Sequence, residues 1–211
     1  MAEGLRERNK REKLERAKKA ARELFARQGF EATTIRQIAE HAGIGLGTLY
    51  SYVQTKHELL DLVFLDDWGD VEDASYASLP EEGGLVDALL HVFGTMMDHY
   101  ARDPAMSRLF VRETLFPGGG DMAPRMERGL RVLQRLGGLV ERAQRRGEVA
   151  RDVEPVAAAA NLFGLYLFHL SSWLSGLRGL EDTRGALRIS LELQLRGLRP
   201  TPAPKRGKSR T

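Results

Sequence analysis

The stretch AGIGLGTLYSY, residues 42–52, places three glycines and two tyrosines within eleven residues, directly after the run TTIRQIAEH. Two readings compete for it. A phosphate-cradling loop needs a preceding strand and either G-x-x-x-x-G-K-[ST] or G-x-G-x-x-G, and the element before Gly43 is helical with neither pattern present. A helix-turn-helix instead needs a glycine in the left-handed conformation at a sharp turn, followed by a helix that enters the major groove. The residues fit the second reading.

Working outward, Leu14, Ala17, Ala21, Leu24 and Phe25 recur every three or four residues, which predicts an amphipathic first helix ended by Gly29. A second begins at Thr34, closed by a capping box with Gln37 and burying Ile35, Ile38, Ala39 and Ala42. The third runs from about Leu46 to Tyr52, poorly capped because Gly45 has no side-chain acceptor. Gly47 inside so short a helix costs about 1 kcal/mol of propensity, and closer approach to DNA is the return. Thr33, Thr34 and Thr48 offer hydroxyls, Tyr50 and Tyr52 a ring with a hydroxyl, and Lys56 a cation, all suited to phosphates and base edges. Gly45, Leu46 and Ser51 complete the expected contact surface. Leu49 points back to the core with Leu24, Phe25, Ile38 and Ile44, and Tyr52 is divided between core and surface.

Charge is unevenly spread over the 211 residues. Residues 1–57 hold twelve Lys or Arg against seven acids, residues 58–80 hold seven acids and no base, and residues 199–211 hold five bases, three prolines and no acid. Basic ends fit a polyanion partner, although close Lys/Glu alternation over residues 6–23 fits a solvated helix face as well. The last thirteen residues read as a disordered basic tail. Cysteine is absent, which removes thiol catalysis and thiolate metal sites. The charged start has no apolar leader core, so a cytoplasmic location is expected.

No strand signal occurs, and further helices are predicted at 56–68, 84–102, 105–115, 124–146, 155–175 and 183–198. The 22 residues from Val156 to Leu177 carry no charge, long enough to cross a bilayer. Alanines, Asn161, His169 and two serines dilute them, so a buried helix is expected instead.

The run FARQGFEATTIRQIAEHAGIGLGTLYSYVQTKHELLDLV, residues 25–63, resembles the N-terminal DNA-binding domain of TetR-family transcriptional regulators. Gly45 stands where the family often has Ser, and Leu46 where it often has a basic or polar residue. The resemblance implies an all-α protein, with an N-terminal three-helix bundle and a C-terminal helical domain for ligand binding and dimerisation. In residue ranges this gives a DNA-binding domain at 1–57 with its helix-turn-helix at 34–53, and an effector and dimerisation domain at 58–198. It also implies a homodimer that represses from a double-stranded DNA operator, with phosphate contacts at Thr34, Tyr50, Tyr52 and Lys56. A small apolar or amphipathic effector would release it.

The residues themselves say less about the second domain. Phe93, Met96, Met97, Tyr100, Phe110, Phe163, Tyr166, His169 and Trp173 are candidates for an effector pocket, although core packing is the default explanation for each. His91, His99 and His169 lack the spacing of a compact metal site, and no catalytic motif is present, Glu113 being expected to face solvent. No metal, cofactor or enzymatic activity is expected. Dimerisation is assigned to helices 155–175 and 183–198, with Leu187, Leu191, Leu195 and Leu198 forming the seam. Other readings are an activator, a DNA-bound adaptor that responds to a protein partner, or a peripheral membrane protein using 156–177.

Overall fold

A computed structural model describes residues 4–65, 68–116 and 123–199, which form ten helices and no strand. In order these are α1 Leu5–Gln28, α2 Ile35–Ala42, α3 Leu46–Tyr50, α4 Lys56–Phe64, α5 Trp68–Ala77, α6 Leu85–Ala101, α7 Pro104–Leu115, α8 Ala123–Arg145, α9 Pro155–Leu174 and α10 Leu180–Leu198. The glycine-rich connection at 117–122 and the basic tail from residue 200 lie outside the described residues.

Packing divides the chain into two units. The first takes the chain to Ala77 together with Thr95–Arg125, and the second takes Ser78–Gly94 and everything from Met126. In the first unit, Ala17, Ala21 and Leu24 of α1 bury the face that the three-and-four spacing predicts, together with Ile38, Leu49, Leu59 and Val63. Phe64 of α4 stacks on Phe110 of α7 at 4.0 Å and 8°. Asp103 starts α7 by accepting the Met106 N–H at 3.1 Å, with Pro104 at the first turn, where its missing N–H costs nothing.

In the second unit, Phe93 of α6 stacks on Tyr166 of α9 at 4.4 Å, and α9 packs along α10. Gly137 of α8 faces the start of α9, where a Cβ would make ordinary van der Waals contact, 3.5 Å from Val156 and 3.7 Å from the Pro155 backbone. Glu154 caps α9 through the Val156 and Ala157 N–H groups. Glu148 accepts the Leu85 N–H at 2.7 Å and so caps α6 from a distant loop. The apolar run at 156–177 is helical as far as Leu174 and buries one face of α9, and no helix among the described residues is long and apolar enough to cross a membrane.

Four expectations need correction. The helix predicted at 56–68 ends at Phe64, and an unpredicted α5 follows from Trp68. Only Ser75 of α5 is fully buried, so the segment carries no apolar period to read. Helix α10 begins at Leu180, with Glu181 and Asp182 in its first turn, where carboxylates favour the helix dipole. Glu113 does not face solvent: it is 4% exposed, Oε2 lies 3.2 Å from His57 Nε2 and Oε1 accepts from Arg112. The proposed seam fails at two of its leucines, because Leu187 and Leu191 are fully buried within the chain itself. An alternation of apolar residues along one helix face cannot tell burial against a neighbour in the same chain from burial against a second copy.

Candidate nucleic-acid interface

The helix-turn-helix is built from local hydrogen bonds. Thr34 Oγ1 accepts the Gln37 N–H at 3.2 Å while Gln37 Oε1 accepts the Thr34 N–H at 2.8 Å, the predicted capping box. Gly43 has φ 63° and ψ 40°, the left-handed conformation that a side chain disfavours, and the Ile44 N–H reaches back to Ala39 O at 3.0 Å. Gly45 precedes α3 with no side-chain cap. The third helix spans five residues and stops at Tyr50. Gln54 caps its end by donating to Tyr50 O at 2.8 Å, and Ser51 Oγ donates to Thr48 O at 2.6 Å.

This geometry sorts the sequence candidates. Leu49 is fully buried, Tyr50 is 42% exposed, and Leu46, Thr48 and Tyr52 are half-buried. Gly45, Gly47 and Ser51 are exposed, and a Cβ on Gly47 would meet nothing within 4 Å. The packing of the domain therefore does not require glycine at 47. Thr33 leaves the contact surface: it is 1% exposed and donates its hydroxyl to Gly29 O at 2.7 Å, tying the end of α1 to the start of α2. Thr34 is exposed but committed to its cap. Lys56 is also committed, with Nζ donating to Phe30 O at 2.5 Å and Glu31 O at 3.3 Å above the Phe30 ring. One of its three donors stays available to a phosphate. Nothing in the one-dimensional pattern marks a lysine that clamps carbonyls 25 and 26 residues back.

Helix α4 is held at both ends. His57, beside the Lys56 clamp, faces Glu113 of α7 and meets the Phe30 ring edge-on at 5.0 Å. Further along, Arg125 of α8 donates to Glu113 O at 2.9 Å and places Nε 3.5 Å from Asp61. Arg22 of α1 donates to Val63 O at 2.7 Å, satisfying a carbonyl in the last turn of α4. His41 at the end of α2 pairs with Glu23 of α1 at 2.7 Å, and that hydrogen bond holds the Glu23 carboxyl below its ordinary range.

The nine effector candidates fall into two sets. Met96, Met97, Tyr100 and Phe110 belong to the first unit, and Phe93, Phe163, Tyr166, His169 and Trp173 to the second. All but Phe163 and Trp173 are buried, and those two are half-buried. Burial, and secondarily Arg178, lowers the His169 pKa, and its Nε2 lies 2.9 Å from Ser190 Oγ. A cavity of about 380 Å³ in the first unit is lined by other residues, among them Arg22, Phe64, His99 and Met106. Among the described residues no group of His, Asp or Glu could hold a metal ion.

Residues 19–63 match the model of the bacterial regulatory proteins, tetR family. The HTH-type transcriptional repressor KstR of Rhodococcus jostii (strain RHA1) is 24% identical over 189 residues, 88% of this chain and 84% of that protein. The HTH-type transcriptional repressor BepR of Brucella suis biovar 1 (strain 1330) is 25% identical over 178 residues, 77% of this chain and 80% of that protein. Among solved structures, Thermus thermophilus FadR in complex with lauroyl-CoA has a TM-score of 0.68 at 24% identity, over 90% of this chain and 98% of that one. Bacillus subtilis FadR in complex with stearoyl-CoA has a TM-score of 0.70 at 21% identity, over 87% and 98%. At these identities the two structures share their fold with this chain.

Proposed function

Because the chain belongs to the TetR family of bacterial regulatory proteins, we propose that it is a cytoplasmic, ligand-released repressor that binds a palindromic operator as a homodimer. The observation that carries the reading is the surface of α3, where Gly47 has open space around it and Tyr50 stands exposed beside Thr48, directly after the left-handed turn at Gly43. Residues 1–57 supply the DNA-binding part and 58–198 the effector and dimerisation part. Thr48 and Tyr50 read base edges, while Thr34, Ser51, Tyr52 and the spare donor of Lys56 meet phosphates. Two copies join through α9 and α10, using Phe168, Ile189 and Leu193, which stand 67%, 59% and 58% exposed, in place of the buried Leu187 and Leu191.

The effector is amphipathic, with a long apolar part and an anionic head. Its support is the acyl-CoA bound by two proteins of the same fold and the aromatic and methionine-rich cores of this chain. Such a ligand acts only through its different affinity for two arrangements of the protein, so operator and effector must weaken each other reciprocally.

Selection of duplexes from a random pool followed by titration tests this. A palindromic sequence is expected to emerge. Lauroyl-CoA or stearoyl-CoA is expected to weaken operator binding by about 5-fold to 150-fold, equivalent to 1–3 kcal/mol of coupling. Acyl-CoA that binds and leaves operator affinity unchanged would remove the ligand switch. Gly47→Ala supplies the structural control. It gains about 1 kcal/mol of helix propensity with no clash, so the domain stays folded while close approach to DNA is lost. Unchanged operator affinity in that variant would take the α3 surface off the duplex.

A further inference from the structure

The first helix begins well before the bundle it packs into. From Arg6 on, Ala17 is its first fully buried residue, and from Arg6 to Arg16, a rise of about 15 Å, every residue but the half-buried Leu14 is exposed. This segment precedes residue 19, where the family match begins.

Its charges are sorted by face. Arg6 and Leu24 are separated by about five whole turns and stand at the same angle on the helix, with Lys10 and Lys13 within about 40° of them. The stripe that is apolar at Ala17, Ala20, Ala21 and Leu24 therefore continues toward the N-terminus as Arg6, Lys10 and Lys13. Glu12 and Glu15 stand about 100° or more from all three cations and Glu23 about 80° from Lys13, while Glu7, about 60° from Lys10, lies at the edge of the stripe. On the outer face Arg8 pairs with Glu12, and Glu23 with His41. Among the described residues no ion pair holds Arg6, Lys10 or Lys13. Like charges at i, i+3 and i, i+4 destabilise an isolated helix, so this spacing is unfavourable until an anion lies along it.

The helix also has a fixed place relative to the reading head. Arg16 lies beside the helix-turn-helix turn, its Nη1 3.9 Å from where a Gly43 Cβ would be. Two residues beyond Gly43, the chain enters α3 at Gly45. The exposed part of α1 thus leaves the domain at the edge where α3 presents its N-terminal end, the end that a recognition helix places toward base edges.

We propose that Arg6, Lys10 and Lys13 form a phosphate-binding stripe that lies along the DNA backbone flanking the half-site covered by α3. The proposal rests on the DNA-binding reading above and adds a sequence-independent contact outside the helix-turn-helix. Charge complementarity selects the occupant: a row of three cations about 10 Å long, with Glu7 at its edge as its one acidic neighbour among the described residues, matches a line of phosphates.

The test uses the full chain and two triple variants of equal charge change. One is Arg6→Gln, Lys10→Gln, Lys13→Gln, and the other is Arg8→Gln, Arg11→Gln, Lys19→Gln on the outer face. Binding to the selected operator and to a random 40-base-pair duplex is measured from about 50 to 200 mM salt. The stripe variant is expected to flatten the plot of log affinity against log salt by two to three units per protomer, about 0.9 for each phosphate that is no longer neutralised. The fall in affinity should be equal on both duplexes, with the hydroxyl-radical footprint shortened at its outer edges. The outer-face variant should change the slope by less than one unit. Equal slope changes for the two variants, or a full-length footprint with the stripe variant, overturn the stripe while leaving DNA binding intact. A wild-type chain that binds neither duplex overturns the DNA-binding reading itself, and helical content by circular dichroism separates either result from unfolding.

Discussion

Arg125→Met is expected to lower the unfolding free energy by about 3–5 kcal/mol, the range for removing one partner of a buried charged cluster. The Arg125 side chain is 7% exposed. It donates to the Glu113 carbonyl and sits 3.5 Å from Asp61, whose side chain is 20% exposed. Methionine fills much of the same volume but supplies neither donor nor charge, so Asp61 loses a buried cation and the Glu113 carbonyl its donor. Arg112→Met is the comparison. Arg112 also pairs with Glu113, yet its side chain is 57% exposed. Water compensates for its removal, and a change of about 1 kcal/mol or less is expected. Urea unfolding of the two variants decides the matter, and equal losses would mean that burial is not what gives the cluster its weight. Arg125→Met should also disturb DNA binding, because α4 begins at the Lys56 clamp and is the element that both Asp61 and His57 anchor.

The second large effect separates the core from the proposed dimer face. Leu191 is fully buried, so Leu191→Asp combines a lost leucine with a buried carboxylate, and a cost above about 4 kcal/mol is expected. The chain should lose its cooperative fold. Ile189→Asp with Leu193→Asp, on the exposed face of the same helix, should leave the protomer's own stability within about 1 kcal/mol. Sedimentation should nevertheless show monomers, and operator affinity should fall because the half-sites are no longer bound as a pair. A dimer that survives the double substitution places the interface elsewhere. A folded, stable Leu191→Asp variant would contradict the packing of α10 on α9.

What the sequence determined is what local chemistry decides. The capping box at Thr34 and Gln37, the turn at Gly43, the buried stripe of α1 and the inward Leu49 are all set by residues within about one or two helical turns of each other. They are legible because caps and periodicity act over that distance. The same locality explains the misses. Helix α5 has almost no buried face, so its ten residues offer no period. The pairing of His57 with Glu113 spans 56 positions and the Lys56 clamp on Phe30 spans 26, distances over which no helical spacing carries information. Thr33 and Thr34 are chemically alike and adjacent, yet one is buried on Gly29 O and the other caps α2 at the surface. The leucines of α10 have a readable face, but only the tertiary structure shows that α9 of the same chain is packed along that helix. Tertiary packing decides these points because burial depends on which neighbour covers a face, and that neighbour is chosen by the fold of the whole unit.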